Sequence, residues 1–86
     1  MEKIFEQAML YDFYGELLKD NQKEVFENYV LDNLSLSEIA EERNISRQAV
    51  YDMIKRADRA LNEYEDKLHL LEKFLTIKED VNRIHI

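Results

Sequence analysis

The near-absence of helix-breaking residues limits what this chain can form. Its 86 residues include no proline and a single glycine, Gly15. Proline and glycine are the residues that most disfavour a helix interior. A fold built from short strands needs such residues in its turns. An all-α fold is therefore predicted, and a chain of this length forms one domain, residues 1–86, with a thin core.

The first of four predicted helices runs from about Glu2 to Lys19. Its central apolar stripe has helical spacing and consists of Ile4, Ala8, Tyr11, Gly15 and Leu18. Leu10, Tyr14 and Leu17 widen the stripe on one side, and Phe5 and Met9 widen it on the other. Phe13 projects from the opposite face. This is more apolar surface than one packed face needs, so a second chain is expected to meet this helix.

A second helix is predicted from about Gln22 to Leu31. Asn21 is a suitable N-cap, and Glu24, three residues later, completes the pattern of a capping box. Asn33 is a plausible stop, because asparagine tolerates the left-handed conformation that ends many helices.

The central stretch from Leu34 onward has the pattern of a helix-turn-helix. Ser35 with Glu38 predicts a second capping box, which starts a short helix from Leu36 to about Arg43. Ala40 is small enough for two helices to cross closely at its position.

The turn that follows is equally specific. Asn44 is predicted to be left-handed, where asparagine is the best substitute for glycine, and Ile45 is predicted to be a buried turn residue. Ser46 is the predicted N-cap of the next helix, whose inner face begins with Val50 and Ile54. Such a motif places the outer residues of its second helix in a DNA major groove. The candidate nucleic-acid-binding residues are Arg47, Gln48, Tyr51, Asp52, Lys55, Arg56 and Arg59.

The last predicted helix is long, from Arg47 to Leu75, and a short tail follows over residues 76–86, in which residues 81–86 are expected to be loose or packed on a partner. Its apolar residues alternate spacings of four and three, which is a heptad seam: Val50, Ile54, Ala57, Leu61, Tyr64, Leu68, Leu71 and Leu75. An exposed seam needs a partner, so a homodimer is predicted. The candidate interface residues are Tyr11, Phe13, Tyr14, Leu61, Tyr64, Leu68 and Leu71.

The net charge of −7 is unusual for a DNA-binding protein, since most are basic. Residues 1–42 carry 3 basic and 11 acidic side chains, whereas residues 43–86 carry 9 and 8. A general electrostatic attraction to nucleic acid is not expected, but a local basic face is compatible with this distribution. Binding to nucleic acid and binding to protein both remain open.

Several other functions have no support in the sequence. The chain has no cysteine, and His69 and His85 are too far apart to suggest a metal site. There is no glycine-rich phosphate loop and no plausible catalytic set, so neither an enzyme nor a cofactor nor a small-molecule substrate is expected. The sequence shows no signal peptide and no apolar stretch long enough to span a membrane, which predicts a cytoplasmic protein.

Four segments together resemble the YlxM family of small bacterial helix-turn-helix proteins. These are Asp12-Phe-Tyr-Gly-Glu-Leu-Leu, Leu34-Ser-Leu-Ser-Glu-Ile-Ala-Glu-Glu, Ser46-Arg-Gln-Ala-Val and Tyr64-Glu-Asp-Lys-Leu. The helix-turn-helix itself is similar to region 4 of sigma factors, in which the outer residues at the start of the second helix read promoter bases. Those positions correspond here to Arg47, Gln48, Tyr51 and Asp52. Tyr51 and Asp52 depart from the basic or polar types expected at such positions.

The YlxM family is typically encoded beside the GTPases of the signal recognition particle. The resemblance therefore implies a non-enzymatic regulatory protein in the protein-targeting pathway, with the particle's GTPase or its RNA as partners and a helix-turn-helix for nucleic acid. The alternative is a sequence-specific DNA-binding transcriptional regulator with no contact to the particle.

Overall fold

The computed structural model describes the backbone of residues 3–84 and the side chains of residues 3–78. The all-α prediction is confirmed, because helices account for all regular structure in residues 3–84. There are five α-helices instead of the predicted four, and one short 3-10 turn. They are α1 (Lys3–Tyr14), the 3-10 turn (Gly15–Leu17), α2 (Asp20–Val30), α3 (Leu36–Arg43), α4 (Arg47–Leu68) and α5 (Leu70–Ile84).

The longest helix, α4, forms the centre of the fold and packs against α1, α2 and α3. Its inner face is buried at Val50, Ile54, Ala57 and Leu61. The other helices contribute the remaining core side chains, which are Leu10, Tyr14, Leu18, Val25, Phe26, Ile39, Ala40 and Leu71. The first half of the heptad seam is therefore covered by this chain's own helices.

The buried face of α1 differs from the predicted stripe. Gln7, Leu10 and Tyr14 are buried, whereas Ile4 is 41% exposed. The helix is rotated toward this face because its polar groups find partners there: the Gln7 Nε2 donates to Asp58 Oδ1 on α4 at 3.1 Å. The predicted stripe counted apolar residues only, and so missed the buried glutamine.

The first helix also ends earlier than predicted, at Tyr14 instead of Lys19. Gly15 begins the 3-10 turn, and a Cβ at this position would lie 2.7 Å from the Tyr11 ring. A larger residue would collide with that ring, so the only glycine of the chain marks a close approach.

The capping box predicted for α2 is wrong. The helix begins at Asp20, and Lys19 is its N-cap without a side-chain hydrogen bond. Asn21 therefore lies inside the helix, and Glu24 forms an ion pair with Arg43 of α3 at 3.2 Å. The helix ends at Val30 with Leu31 as its C-cap, shortly before the predicted stop, and the left-handed conformation expected of Asn33 is confirmed by its φ of 58°.

The predicted long helix is interrupted at His69, which is left-handed with φ 55°. The chain continues as α5 as far as Ile84, so residues 76–84 are helical and residues 81–84 are not loose. The remaining predicted tail residues, 85–86, lie outside the described residues. Tyr14 and Glu65 form hydrogen bonds across the junction, which no local sequence pattern reports.

Candidate nucleic-acid interface

The first helix of the helix-turn-helix, α3, starts as predicted. The Ser35 hydroxyl accepts a hydrogen bond from the Glu38 amide at 3.1 Å, and the Glu38 carboxylate accepts one from the Ser35 amide at 3.0 Å. The Ser35 amide, and to a smaller extent the Ser35 hydroxyl, lower the pKa of the Glu38 carboxyl. The charged carboxylate therefore stabilises the N-terminus of α3.

The turn between α3 and α4 is fixed by its backbone. Asn44 is left-handed, with φ 56° and ψ 44°, as predicted. The Ile45 amide donates to the Ala40 carbonyl at 3.0 Å. The prediction of a buried Ile45 is wrong, because this side chain is 38% exposed. Main-chain hydrogen bonds, and not an apolar plug, close this turn.

The start of α4 is held by a side-chain cap and by the core. The Ser46 hydroxyl accepts from the Ala49 amide at 3.0 Å, and Val50 and Ile54 are buried beneath the helix. Ala40 is also buried where the two helices cross. This arrangement confirms the helix-turn-helix and leaves the opposite face of α4 free.

All seven predicted nucleic-acid-binding residues lie on that free face and are exposed: Arg47, Gln48, Tyr51, Asp52, Lys55, Arg56 and Arg59. Two contacts organise them. Gln48 Nε2 donates to Asp52 Oδ1 at 3.0 Å, and Lys55 Nζ lies 5.6 Å from the centre of the Tyr51 ring. In the free protein, the Gln48 amide that would read a base is therefore bonded to its neighbour.

The cations of this face are not engaged by carboxylates. Among the side chains of residues 3–78, Arg47, Lys55, Arg56 and Arg59 have no acidic oxygen within 4.0 Å. Arg43, by contrast, is bound by Glu24. Asp52 is the acidic residue among the seven. We call the four free cations the α4 basic row.

A shallow groove lies beside the start of this face. Leu36 of α3 and the α4 residues Arg47, Gln48 and Tyr51 line it. The Tyr51 side chain is 43% exposed, so its ring is accessible from the groove. Aromatic rings of this kind can contact base methyl groups or the sugar edge.

The candidate dimer residues have three different environments. Tyr14, Leu61 and Leu71 are buried in the chain's own core, at 1%, 0% and 5% exposure, so the structure does not present them to a second copy. Tyr11 and Tyr64 are half-buried. Phe13 and Leu68 are exposed. The heptad seam on which the dimer prediction was based is largely buried within this chain, because α1 packs on α4.

A different set of apolar side chains is exposed together. Phe13 contacts Phe74 of α5 edge to face, with ring centroids 5.8 Å apart. Leu17 lies four residues after Phe13, in the 3-10 turn, and Leu70 and Ile77 share the helical face of Phe74. We call Phe13, Leu17, Leu70, Phe74 and Ile77 the α1–α5 apolar surface. The sequence did not reveal it, since it exists only when α5 turns back beside α1.

Other kinds of site find no support in the part of the chain that the structure describes. No group of three or more histidine or acidic side chains in it is placed to hold a metal ion. No helix among these residues is long and apolar enough to cross a membrane.

Comparison with known proteins identifies the family. Residues 1–85 match the family described as "Putative helix-turn-helix protein, YlxM / p13 like". The chain belongs to this family. The UPF0122 protein YlxM of Bacillus subtilis (strain 168) is 50% identical over 84 residues, which are 98% of this chain and 76% of that protein.

Two further relatives of the YlxM-like family show similar agreement. A UPF0122 protein of Bacillus thuringiensis (strain Al Hakam) is 55% identical over 74 residues, 86% of this chain and 67% of its own length. One from Caldanaerobacter subterraneus subsp. tengcongensis is 50% identical over 77 residues, 90% of this chain and 66% of its own length. The resemblance seen in the four sequence segments is thus confirmed as membership of the YlxM-like family.

Proposed function

We propose that this YlxM-like protein is a non-enzymatic regulator that binds nucleic acid through its helix-turn-helix. The α4 basic row carries the proposal: four exposed cations, without an acidic partner among the side chains of residues 3–78, lie on the face of α4 that a helix-turn-helix turns toward the groove. In this proposal Arg47 and Gln48, in the first turn of this helix, contact bases. Lys55, Arg56 and Arg59, farther along the helix, contact phosphates.

The salt dependence of binding tests this proposal directly. If the α4 basic row neutralises about four phosphates, the logarithm of affinity falls with the logarithm of salt concentration with a slope near −4. Fluorescence anisotropy on a labelled duplex, with a random-sequence competitor, measures both the slope and the sequence preference. The double variant Arg47→Ala, Lys55→Ala should reduce the magnitude of the slope by about two.

The matched control removes two cations from other parts of the molecule. Lys19→Ala with Lys67→Ala changes the net charge equally; both side chains are exposed, and neither belongs to the α4 basic row. The control should leave the slope unchanged. Equal losses in both double variants, or binding that does not depend on salt, would contradict a role for the α4 basic row.

We propose, as a second candidate, that the protein acts in the signal recognition particle pathway through direct contact with the particle's GTPase or RNA. The exposed acidic residues of the first half support a basic protein partner. They are Glu6, Asp12, Glu16, Asp20, Glu24, Asp32, Glu38, Glu41 and Glu42. In this case the helix-turn-helix binds the particle's RNA, and the exposed acidic residues bind its protein.

Reconstitution with purified GTPase and particle RNA separates the two candidates. Retention of the GTPase should be lost when Glu41→Lys and Glu42→Lys reverse the exposed charge on α3, and should persist when Glu63→Lys and Asp66→Lys do so on α4. Retention of neither component, together with specific duplex binding, would favour the alternative of a transcriptional regulator that does not contact the particle.

We also propose that the protein is a cytoplasmic homodimer that pairs through the α1–α5 apolar surface. A two-fold contact brings the same patch of both copies together. The exposed Asp12 is next to Phe13 in sequence on α1, whereas the exposed Lys73 and Lys78 are next to Phe74 and Ile77 on α5. An antiparallel arrangement of two copies would therefore place opposite charges beside the apolar contact.

A further inference from the structure

The junction between α4 and α5 is a bend of a single residue. The His69 amide donates to the Glu65 carbonyl at 2.8 Å, and the Lys73 amide donates to the His69 carbonyl at 3.0 Å. Both helices are therefore regular up to His69, which alone changes the direction of the chain with φ 55°. A residue with a Cβ is disfavoured in this left-handed conformation, so other contacts must hold the bend.

Two side chains, which we call the Tyr14–Glu65 latch, form hydrogen bonds across the junction, where His69 Nδ1 also lies 3.0 Å from Glu72 Oε2. The Tyr14 hydroxyl donates to Glu65 Oε1 at 2.6 Å and accepts from the Leu70 amide at 3.1 Å. The Glu65 carboxylate accepts from the Leu71 and Glu72 amides, each at 3.0 Å. The first amides of a helix have no partner within it. The latch satisfies the three at the start of α5.

The same three amides would also be satisfied if the bend straightened. In a continuous helix they would donate to the carbonyls four residues earlier, those of residues 66–68. Neither proline nor glycine lies between Val50 and Leu75, and the alternating apolar spacing runs through His69 without a change of phase. The local sequence is therefore as suitable for a straight helix as for a bent one.

We propose that the α4–α5 junction is a two-position hinge, and that the Tyr14–Glu65 latch selects the bent position. Release of the latch lets α4 and α5 join as one helix. Phe13 and Leu17 then stay with the body of the protein, whereas Leu70, Phe74 and Ile77 move away with α5. The latch thus controls whether the α1–α5 apolar surface exists, and a partner that covers both halves favours the bent position.

A distance measurement within one chain tests the hinge independently of nucleic-acid binding. The absence of cysteine allows spin labels to be placed at Asp12→Cys and Lys78→Cys, both exposed. Labelled protein is diluted with excess unlabelled protein, so that distances between copies are not read. Lys78 is about 13 Å along α5 from His69, so straightening should move it away from Asp12 and give a second, longer distance.

The variants are chosen to move the hinge in opposite directions. Tyr14→Phe keeps the ring in the core and removes the hydroxyl, and should add a second, longer distance. His69→Ala should also populate the longer distance, whereas His69→Gly should suppress it, because glycine accepts the left-handed conformation and disfavours a helix interior. Between these two exposed substitutions the ratio of straight to bent chains should change by roughly tenfold or more.

Combining Tyr14→Phe with His69→Gly should restore the short distance. A single short distance in both Tyr14→Phe and His69→Ala would overturn the proposal, since the bend would then be fixed by the rest of the fold. A broad distribution with a loss of helical circular dichroism would also overturn it, because α5 would then unfold instead of joining α4.

Discussion

The Asp52 side chain has two separate effects on the exposed face of α4, one through its charge and one through its hydrogen bond. It belongs to the exposed face that carries the α4 basic row, and it accepts a hydrogen bond from Gln48. Its negative charge opposes an approaching phosphate, while its hydrogen bond orders the glutamine. A single residue therefore weakens attraction to any nucleic acid and restrains a group that could read a base.

Asp52→Asn should strengthen binding to duplex DNA of any sequence. Two unit charges about 8 Å apart interact by about 0.5 kcal/mol in water, which corresponds to an affinity about twofold higher. Anisotropy titrations at about 0.1 M salt would measure this. Asp66→Asn is the matched control, because Asp66 lies 14 residues later on α4, about 21 Å away and beyond the Debye length of about 10 Å. An equal gain in both variants would contradict a specific role for Asp52.

The Glu65 carboxylate should make stability depend on pH. Burial raises the pKa of Glu65, but hydrogen bonds from Tyr14 and from the amides of Leu71 and Glu72 outweigh it, so the pKa lies below its ordinary value of 4.5. A carboxyl with a lowered pKa binds fewer protons when folded than when unfolded. Its contribution to stability is therefore present above about pH 4.5 and is lost as the pH falls through the lowered pKa.

Urea unfolding between about pH 6 and pH 3 would measure this loss. Glu65→Gln should be less stable than the parent at pH 6, and the difference should shrink toward pH 3. Some dependence will remain in the variant, since Ser35 also lowers the pKa of Glu38. Glu63→Gln, exposed on the same helix, should retain the parent's pH profile; a constant difference between Glu65→Gln and the parent would disprove the interpretation.

The residues at which helices end set the arrangement of the helices. Three non-glycine residues have positive φ among residues 3–84, and each ends a helical region: Asn33, Asn44 and His69. The two asparagines were recognisable from the sequence because asparagine is suited to this conformation. His69 was not, since histidine within a regular heptad pattern gives no sign of a break. The hydrogen bond from Tyr14 to Glu65 beside this break joins residues 51 positions apart.

Asparagine substitutions at two helix positions should have opposite effects. Asn44→Ala should lower the free energy of unfolding by about 1 kcal/mol, since alanine is disfavoured at φ 56°, whereas Asn44→Gly should be close to neutral. Asn21→Ala should be neutral or stabilising by about 0.5 kcal/mol, because Asn21 lies inside α2. Thermal unfolding resolves these differences, since 1 kcal/mol shifts Tm by about 4–8 °C in a domain of this size. A loss of about 1 kcal/mol in Asn21→Ala would instead support a capping role.

The whole molecule is elongated, with extents of 52 × 24 × 17 Å, and its surfaces are distributed unevenly. The acidic residues cover α1 to α3, the α4 basic row lies on the outer face of α4, and the α1–α5 apolar surface is formed by the bend. Charge distribution and the helix-turn-helix followed from local sequence, which is why all seven candidate residues were correctly expected on an exposed face. The apolar surface depends on the direction of α5, and no local pattern sets that direction.

Pairing through the α1–α5 apolar surface should be visible as a doubled mass. Light scattering at micromolar concentration should give twice the chain mass of 10.4 kDa. Ile77, 62% exposed, is the best residue to change because it contributes least to the chain's own core. A two-fold contact uses each substitution twice, so Ile77→Gln should weaken dimerisation by roughly a hundredfold if each buried isoleucine contributes about 1.4 kcal/mol.

Ile45→Gln is the matched control for this prediction. It replaces the same residue type with the same polar one, at a side chain that is 38% exposed in the helix-turn-helix turn, and it should leave the dimer intact. Loss of the dimer in Ile45→Gln alone would place the interface at the helix-turn-helix, and would make pairing compete with nucleic-acid binding. A parent protein of 10.4 kDa at every concentration would exclude the dimer, and the α1–α5 apolar surface would then be free for a different protein.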